Sequence, residues 1–466
     1  MFFEYLLKLE NDEKLWSFSL EDKIPIWLGI RFIVFWELQK EKFSLSEPHL
    51  KGDLKVFDIL KYIVLSIIKN PWKIKKNKIV IFGAGINNVK ENDSYLNKLY
   101  DLYIENDERF QLLESSVKFT YIRPRKNKNI CYSDLFFILS KLISYLIKVS
   151  KEERKKIEDF LNYIKSKGLI NENKTDYFKK LIIKTYKYNL SKYLIFKRFI
   201  NDKKIRILIL EDAHYGGNSA LIKLAKERSI PVIEMQHGYL GKGHLAYNFN
   251  REQFDIIKNY LPDYFFSFGK YWSERMRIPG KIFDIGNAYL EYKAENQKNQ
   301  NSKKDIILII SGGTMPESYV LLSEKISRLF DQNFKILFRP HPSERLKLRE
   351  RYSKILEFGI EVDTSNLYET LCKTAVVISY EISTVLYEAL MFTNKVFLIN
   401  NKYVSQYVYD ELPFVVVDEI EELIIKMNQN NIVENKNITY IWEPGAITNF
   451  LKYIDYISKE KNVDHN

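Results

Sequence analysis

From residue 205 to residue 417 the chain alternates short apolar runs of strand length with stretches of helical periodicity, and it does so in two series. The first reads as strand 205–210, helix 218–228, strand 231–235 and strand 263–268. The second reads as strands 306–310, 335–339, 375–379, 395–399 and 413–417, with helices 317–330, 344–357 and 383–392 between them. A run that is apolar throughout suits a strand buried on both faces, and strand–helix alternation needs crossovers that cover a parallel sheet with helices. The predicted class is therefore α/β, with two Rossmann-like domains whose parallel sheets face a central cleft. Residues 291–304 (EYKAENQKNQNSKK) carry no apolar periodicity and read as the linker between an N-terminal domain, 1–290, and a C-terminal domain, 305–438. Residues 439–466 read as a closing helix and tail.

Upstream, residues 1–75 read as mostly helical, 78–82 (KIVIF) as a strand running into Gly83-Ala84-Gly85, 89–105 as a helix, 118–122 (KFTYI) as a strand, and 133–201 as helices broken near 168–174. With 46% apolar and 15% aromatic residues the chain can fill two cores, which excludes a disordered chain. The apolar run 24–38 contains Arg31 and Glu37 and is shorter than a membrane span, so a buried helix packing through Trp27, Ile30, Val34 and Leu38 is expected. Residues 133–149 fit a solvent-facing amphipathic helix. The start of the chain lacks the pattern of a signal peptide. Cys131 and Cys372 have no metal spacing and no disulfide framework, which points to a reducing cytoplasm. The net charge of +12 favours anionic partners, but Lys and Arg are interspersed with acids and no groove-reading motif occurs, which argues against nucleic acid.

The residues that bear chemistry cluster at strand ends, where open α/β sheets bind ligands. EMQHG (234–238) delivers His237, which can accept a proton near neutral pH, with Gln236 to orient the ring, Gly238 for a tight turn and His244 seven residues on. Glu211 and Asp212 end the preceding strand; paired acids there supply a general base or cap the next helix. In ISGGT, Ser311, Gly312, Gly313 and Thr314 let the backbone approach a phosphate, or form a plain strand-to-helix turn. In FRPHP, two prolines fix the backbone around His341 and Arg339 adds a permanent cation, an arrangement suited to a leaving phosphate. SYEIST adds Ser379, Ser383 and Thr384, whose hydroxyls cap a helix or bind phosphate, and Glu388 follows one turn later on the face of Thr384. No metal-binding spacing, P-loop or GxSxG elbow is present, so no metal and no cofactor is predicted.

These segments, over roughly residues 205–400, resemble the bacterial GT-B glycosyltransferases that build capsules and other surface polysaccharides: polysialyltransferase-like enzymes, capsular Kdo transferases and CDP-glycerol glycerophosphotransferases. The resemblance implies a GT-B fold with the nucleotide-sugar donor held by the C-terminal domain and the glycan or lipid-linked glycan acceptor by the N-terminal one. It also implies that the 383–388 region holds the nucleotide base and ribose. The function expected is inverting, metal-independent sugar transfer, with His237, Glu211 or Asp212 as base and His341 with Arg339 at the departing phosphate. Polyol-phosphate transfer from a CDP donor and a UDP-sugar 2-epimerase activity are the alternatives. A lipid-linked acceptor and a basic surface without a spanning segment imply a cytoplasmic protein, peripheral on the anionic inner face of the plasma membrane.

Overall fold

The computed structural model describes residues 2–20, 24–46, 56–297, 304–329, 334–407, 412–427 and 438–463. Two all-parallel sheets organise it. The first contains seven strands, which we number in chain order: β1 (Ile79–Ala84), β2 (Phe110–Ser115), β3 (Ile130–Tyr132), β4 (Ile207–Leu210), β5 (Val232–Met235), β6 (Tyr264–Ser267) and β7 (Lys281–Asp284). Their spatial order is β7-β6-β5-β4-β1-β2-β3. The second sheet contains β8 (Ile306–Ile310), β9 (Lys335–Arg339), β10 (Glu361–Val362), β11 (Thr374–Ser379), β12 (Val396–Ile399) and β13 (Val415–Val417), in the order β10-β9-β8-β11-β12-β13. Both sheets reverse direction beside their first strand, β1 against β4 and β8 against β11. That reversal is the dinucleotide-fold switch point, where a crevice opens outside the carboxyl ends of the strands. The architecture is two Rossmann-like domains in a GT-B layout.

The apolar runs that defined the strands are the core. All four residues of β4 and of β5 are buried, as are all five of β8, and each Ile, Leu or Val so removed from water contributes roughly 1.5–3 kcal/mol. The apolar run at 24–38 forms the helix Ile26–Phe43, which buries Trp27, Ile30, Val34 and Phe35. Arg31 on that helix is buried yet satisfied, bonding the carboxylate of Glu10 and the carbonyls of Leu245 and Asn248.

Three upstream expectations are corrected. Residues 89–105 do not form a helix; Asn88–Glu91 and Ser94–Asn97 pair as an antiparallel hairpin turning at Asn92, whose φ is +51°. Asn97 and Asp101 then bond local backbone N–H groups, competition that disfavours a helix. Residues 118–122 are not a strand, because Lys118 and Phe119 adopt φ of +48° and +61°. The strand lies earlier, at β2, where polar Gln111 and Glu114 obscure the apolar pattern. Gln111 bonds the Asn129 carbonyl and Glu114 pairs with Arg125 at 2.9 Å, so both are buried without an unmet charge. Finally, the expected linker begins as helix: Ala288–Gln297 covers its first residues, pinned by Lys293 and Tyr289 on Glu91 and by Glu291 on the N–H of Gly445. Residues 298–303 lie outside the described residues.

The chain returns to the first domain at its end. Trp272 Nε1 donates to the Ile441 carbonyl, and the helix Ala446–Val463 places Phe450 against Tyr103, Phe110 and Phe266 and stacks Tyr453 on Phe283. The two domains also meet directly. Tyr387 of the second packs its ring 4.5 Å from Trp272 and its hydroxyl 3.1 Å from that of Tyr271.

Candidate active site

The carboxyl ends of β4 and β5 lie side by side at the first switch point, and each carries a titratable group. Asp212 follows β4 in the left-handed region, φ +51°, a conformation that costs a non-glycine residue energy and is held by its surroundings. Its side-chain Oδ1 lies 2.8 Å from Nε2 of His237, which follows β5. Burial opposes the imidazolium, but the hydrogen bond and charge of Asp212, with Glu234 and Glu211 behind it, push His237 up to about 9. Burial likewise works against the Asp212 carboxylate, and His237 nonetheless holds it below its usual range. Glu211 is buried and accepts from the Ala84 N–H and Asn87 Nδ2, both at 3.0 Å; burial pushes it up to about 7. The last residue of β1 thus serves this site by offering its backbone N–H to Glu211, and the turn beyond adds the Asn87 side chain.

Behind His237 lies a buried layer that sequence reading did not identify. Glu234 accepts the Tyr247 hydroxyl at 2.7 Å and the His214 backbone N–H at 3.1 Å, and its carboxylate meets His214 Nδ1. Gln236 is fully buried and bonds the Phe268 N–H and the Gly238 carbonyl, so it fixes the backbone of the loop and not the imidazole, contrary to expectation. His244 Nε2 faces the Tyr215 hydroxyl at 3.2 Å, and burial drives the ring down to about 3, which keeps it neutral. A cavity of about 180 Å³ lies beside it, lined by Phe32, Trp36 and Tyr239 from the first domain and Ile382 and Tyr403 from the second.

At the second switch point the groups divide into two kinds. Several are consumed by the fold. Arg339, expected at a donor phosphate, turns instead to Asp363 and to the Ser365 carbonyl, because Asp363 is a buried carboxylate that needs a counter-charge. Ser379 ties β8 to β11, donating to the Ile310 carbonyl at 2.8 Å, and is buried. Ser311 donates to Glu344 at 2.8 Å, and Glu344 also receives the His341 N–H. The N–H groups of Gly312 and Thr314 and the Thr314 hydroxyl all converge on one carboxylate, that of Glu381. An added Cβ at Gly312 would lie 2.6 Å from Glu381 Cδ, so glycine there makes room for this acid. Gly313, at φ +99°, completes the turn. Glu381 lies within the SYEIST segment, but only the fold reveals that it fills the cradle predicted for phosphate.

Others stay available. His341 Nδ1 accepts the Ser343 N–H at 3.3 Å, which puts the proton of the neutral ring on Nε2, and the ring is exposed at the strand end. Among the described residues Ser383 Oγ and Glu388 Oε2 are enclosed without a hydrogen-bond partner. Tyr368 lies beside Glu388; burial, then the charge of Glu388 and a hydrogen bond to its carboxylate, holds the phenol well above the usual range. The two sheets' strand ends meet here: a Cβ built on Gly238 would lie 3.7 Å from Thr384 Oγ1. Gly238 directly follows His237, so the acid–base cluster of one domain abuts the hydroxyls of the other. Among the described residues no three His, Cys, Asp or Glu side chains are grouped to hold a metal ion.

No family model matches the chain, and no curated protein matches it. Solved structures that are similar to it include the UDP-GlcNAc 2-epimerase of Methanocaldococcus jannaschii in complex with UDP-GlcNAc and UDP, at 10% identity over 81% of this chain and 99% of that one, TM-score 0.47. UDP-GlcNAc 2-epimerase from Neisseria meningitidis bound to UDP-GlcNAc is 13% identical over 81% and 99%, TM-score 0.43. MurG from Acinetobacter baumannii is 8% identical over 81% and 99%, TM-score 0.42. Likeness at this level leaves the chemistry to the chain's own residues.

Proposed function

We propose that the protein is a GT-B glycosyltransferase that moves a sugar from a nucleotide-activated donor to a hydroxyl of a growing bacterial surface polysaccharide. The observation that carries the reading is the apposition of His237–Gly238 and Thr384, which brings an acid–base pair of one domain against the polar side chains of Ser383, Thr384 and Glu388 in the other. In this reading Glu388 and the hydroxyls of Ser383 and Thr384 hold the nucleotide, and His341 Nε2–H donates to the phosphate. The acceptor oxygen attacks the anomeric carbon and its proton passes to His237 in the neutral form, whose basicity Asp212 raises and whose share of the enzyme grows as pH climbs towards about 9. The bond from that carbon to the phosphate oxygen breaks, and the nucleotide leaves with the electron pair while His341 meets the growing charge. The configuration inverts, and no metal takes part.

The cavity beside His244 suits the acceptor, since its aromatic walls offer faces on which a sugar or an isoprenoid chain packs. A lipid-linked acceptor puts the enzyme at the inner face of the plasma membrane. Polyol-phosphate transfer from a CDP donor would use the same cleft. Glu211, pushed up to about 7 beside His237, gives a specific reason to keep 2-epimerisation as the second reading, because that reaction needs acid–base groups and no acceptor. The test is to incubate CMP-, CDP-, UDP- and GDP-activated sugars with and without acceptor: label in the acceptor supports transfer, and an epimerised donor formed without acceptor supports the alternative.

A further inference from the structure

The helix Val56–Ile68 is mounted with its apolar face outward. Tyr62 and Ser66 point into the protein, Tyr62 donating to Asp134 Oδ1 at 3.2 Å and Ser66 Oγ lying 2.7 Å from the Tyr121 hydroxyl. On the opposite face Leu60, Val64, Ile67 and Ile68 are each more than half exposed. These positions share one side of a helix, the spacing that ordinarily packs into a core. The neighbouring helix Asp134–Leu146, anchored through the same Asp134, adds Leu142 at 59%, Tyr145 at 69% and Leu146 at 79% exposure. Two adjoining helices that both turn large apolar side chains to solvent mark a surface that is covered in use.

The charge around this face identifies what covers it. The first helix carries one acid, Asp58 in its first turn; beyond it residues 59–90 contain seven lysines and no acid, and residues 135–151 contain three lysines and no acid. Lys61, Lys73, Lys75 and Lys76 are exposed beside the first helix, and Lys141 and Lys148 beside the second. Apolar side chains that enter the acyl boundary while lysines meet lipid phosphates are the pattern of an interfacial helix. No helix among the described residues is long and apolar enough to cross a membrane.

We propose that these two helices form a docking face for an anionic lipid bilayer. The choice of a bilayer over a second copy of the chain rests on the lysine fringe and on the lipid-linked acceptor proposed above. The helix Asp134–Leu146 starts just beyond the carboxyl end of β3, on the strand-end side of the sheet that carries Glu211 and His237, so docking there brings the cleft near the surface from which such an acceptor projects.

Flotation of the full chain with phosphatidylglycerol-containing vesicles and with phosphatidylcholine vesicles tests the proposal. The wild type should float with the anionic vesicles, more weakly as salt rises, and much less with the neutral ones. Val64→Glu with Ile67→Glu, and separately Leu142→Glu with Leu146→Glu, should each lower partitioning by about tenfold or more. A Lys73→Glu, Lys75→Glu, Lys76→Glu variant, which leaves the packed face of the helix untouched, should lose the preference for anionic lipid. Circular dichroism and nucleotide-induced thermal shifts should match wild type in every variant, which separates failure of this surface from failure of the cleft assignment. Variants that float like wild type would overturn the proposal. So would a wild type that ignores both vesicles, or a dimer in solution that the glutamates convert to monomer.

Discussion

Asp212 Oδ1 lies 2.8 Å from His237 Nε2, joining the ends of two adjacent strands of the first sheet into one coupled acid–base pair. The pair makes a titration prediction. With Asp212→Asn, the imidazole should fall from about 9 by roughly 1–2, since a neighbouring opposite charge is worth about that much. NMR titration of the imidazole C–H resonances would measure it, and an unchanged titration would mean that Asp212 does not hold the charge.

The same pair makes stability depend on pH. His237 is raised in the folded state above its ordinary 6.5, so its contribution is complete below pH 6.5 and is lost as pH rises through about 9. Glu211 is raised from 4.5 to about 7, so folding is increasingly opposed as pH climbs through that window and its carboxyl ionises. Both act in one direction, while His244, held down to about 3, gains stability as pH rises to 6.5 and offsets Glu211 there; the unfolding free energy, and Tm with it, should therefore decline between pH 6.5 and pH 9, by about 1.4 kcal/mol for each pH unit per group while that group is within its window. Thermal melts of wild type and Asp212→Asn would show the upper part of the decline reduced in the variant.

For catalysis, His237→Ala should lower transfer by about 10²–10⁴ while nucleotide affinity stays near wild type, because the base and the nucleotide site lie on different domains. Rate constants and calorimetric titration on one preparation would separate the two. Wild-type turnover would move the base role to Glu211 or Asp212.

Opposite the base, His341→Ala should reduce kcat by about 10²–10³ with a smaller change in nucleotide affinity, the pattern of a donor that acts on developing charge. Glu388→Ala should do the reverse, weakening nucleotide binding with less effect on kcat. Steady-state kinetics with titration of the bare nucleotide distinguishes them, and matched effects would dissolve the proposed division of labour.

Arg339→Ala provides the contrast. Its guanidinium is committed to Asp363, so removal should cost about 3 kcal/mol of stability by stranding a buried carboxylate, and leave nucleotide affinity unchanged. Denaturant unfolding and calorimetry measure the two; weakened nucleotide binding with stability intact would return Arg339 to the donor site.

Much of this was legible where local pattern and burial agree. Apolar runs such as 207–210 and 306–310 are strands because they are short, rich in Ile and Leu, and buried on both faces of a covered sheet. Strand ends then locate His237 and His341, since a parallel sheet delivers every such residue to one edge. What was illegible depends on partners distant in sequence. Gln111 and Glu114 disguise β2 until Arg125 and Asn129 satisfy them. The phosphate reading of Gly312 and Thr314 fails for the same reason, because their N–H groups answer to a carboxylate 67 to 69 residues away. Arg339 and Ser379 sit where a ligand would want them, and the fold uses them first.

Product analysis decides whether one cleft between the two domains transfers a sugar from a nucleotide. The protein would be incubated with CMP-, CDP-, UDP- and GDP-activated sugars and a lipid-linked glycan fraction, with His237→Ala in parallel. One donor should pass label to the glycan with release of free nucleotide, and His237→Ala should bind the same donor without transferring it. Label that never leaves the nucleotide, with the sugar epimerised or unchanged across the whole panel, would contradict sugar transfer by this cleft.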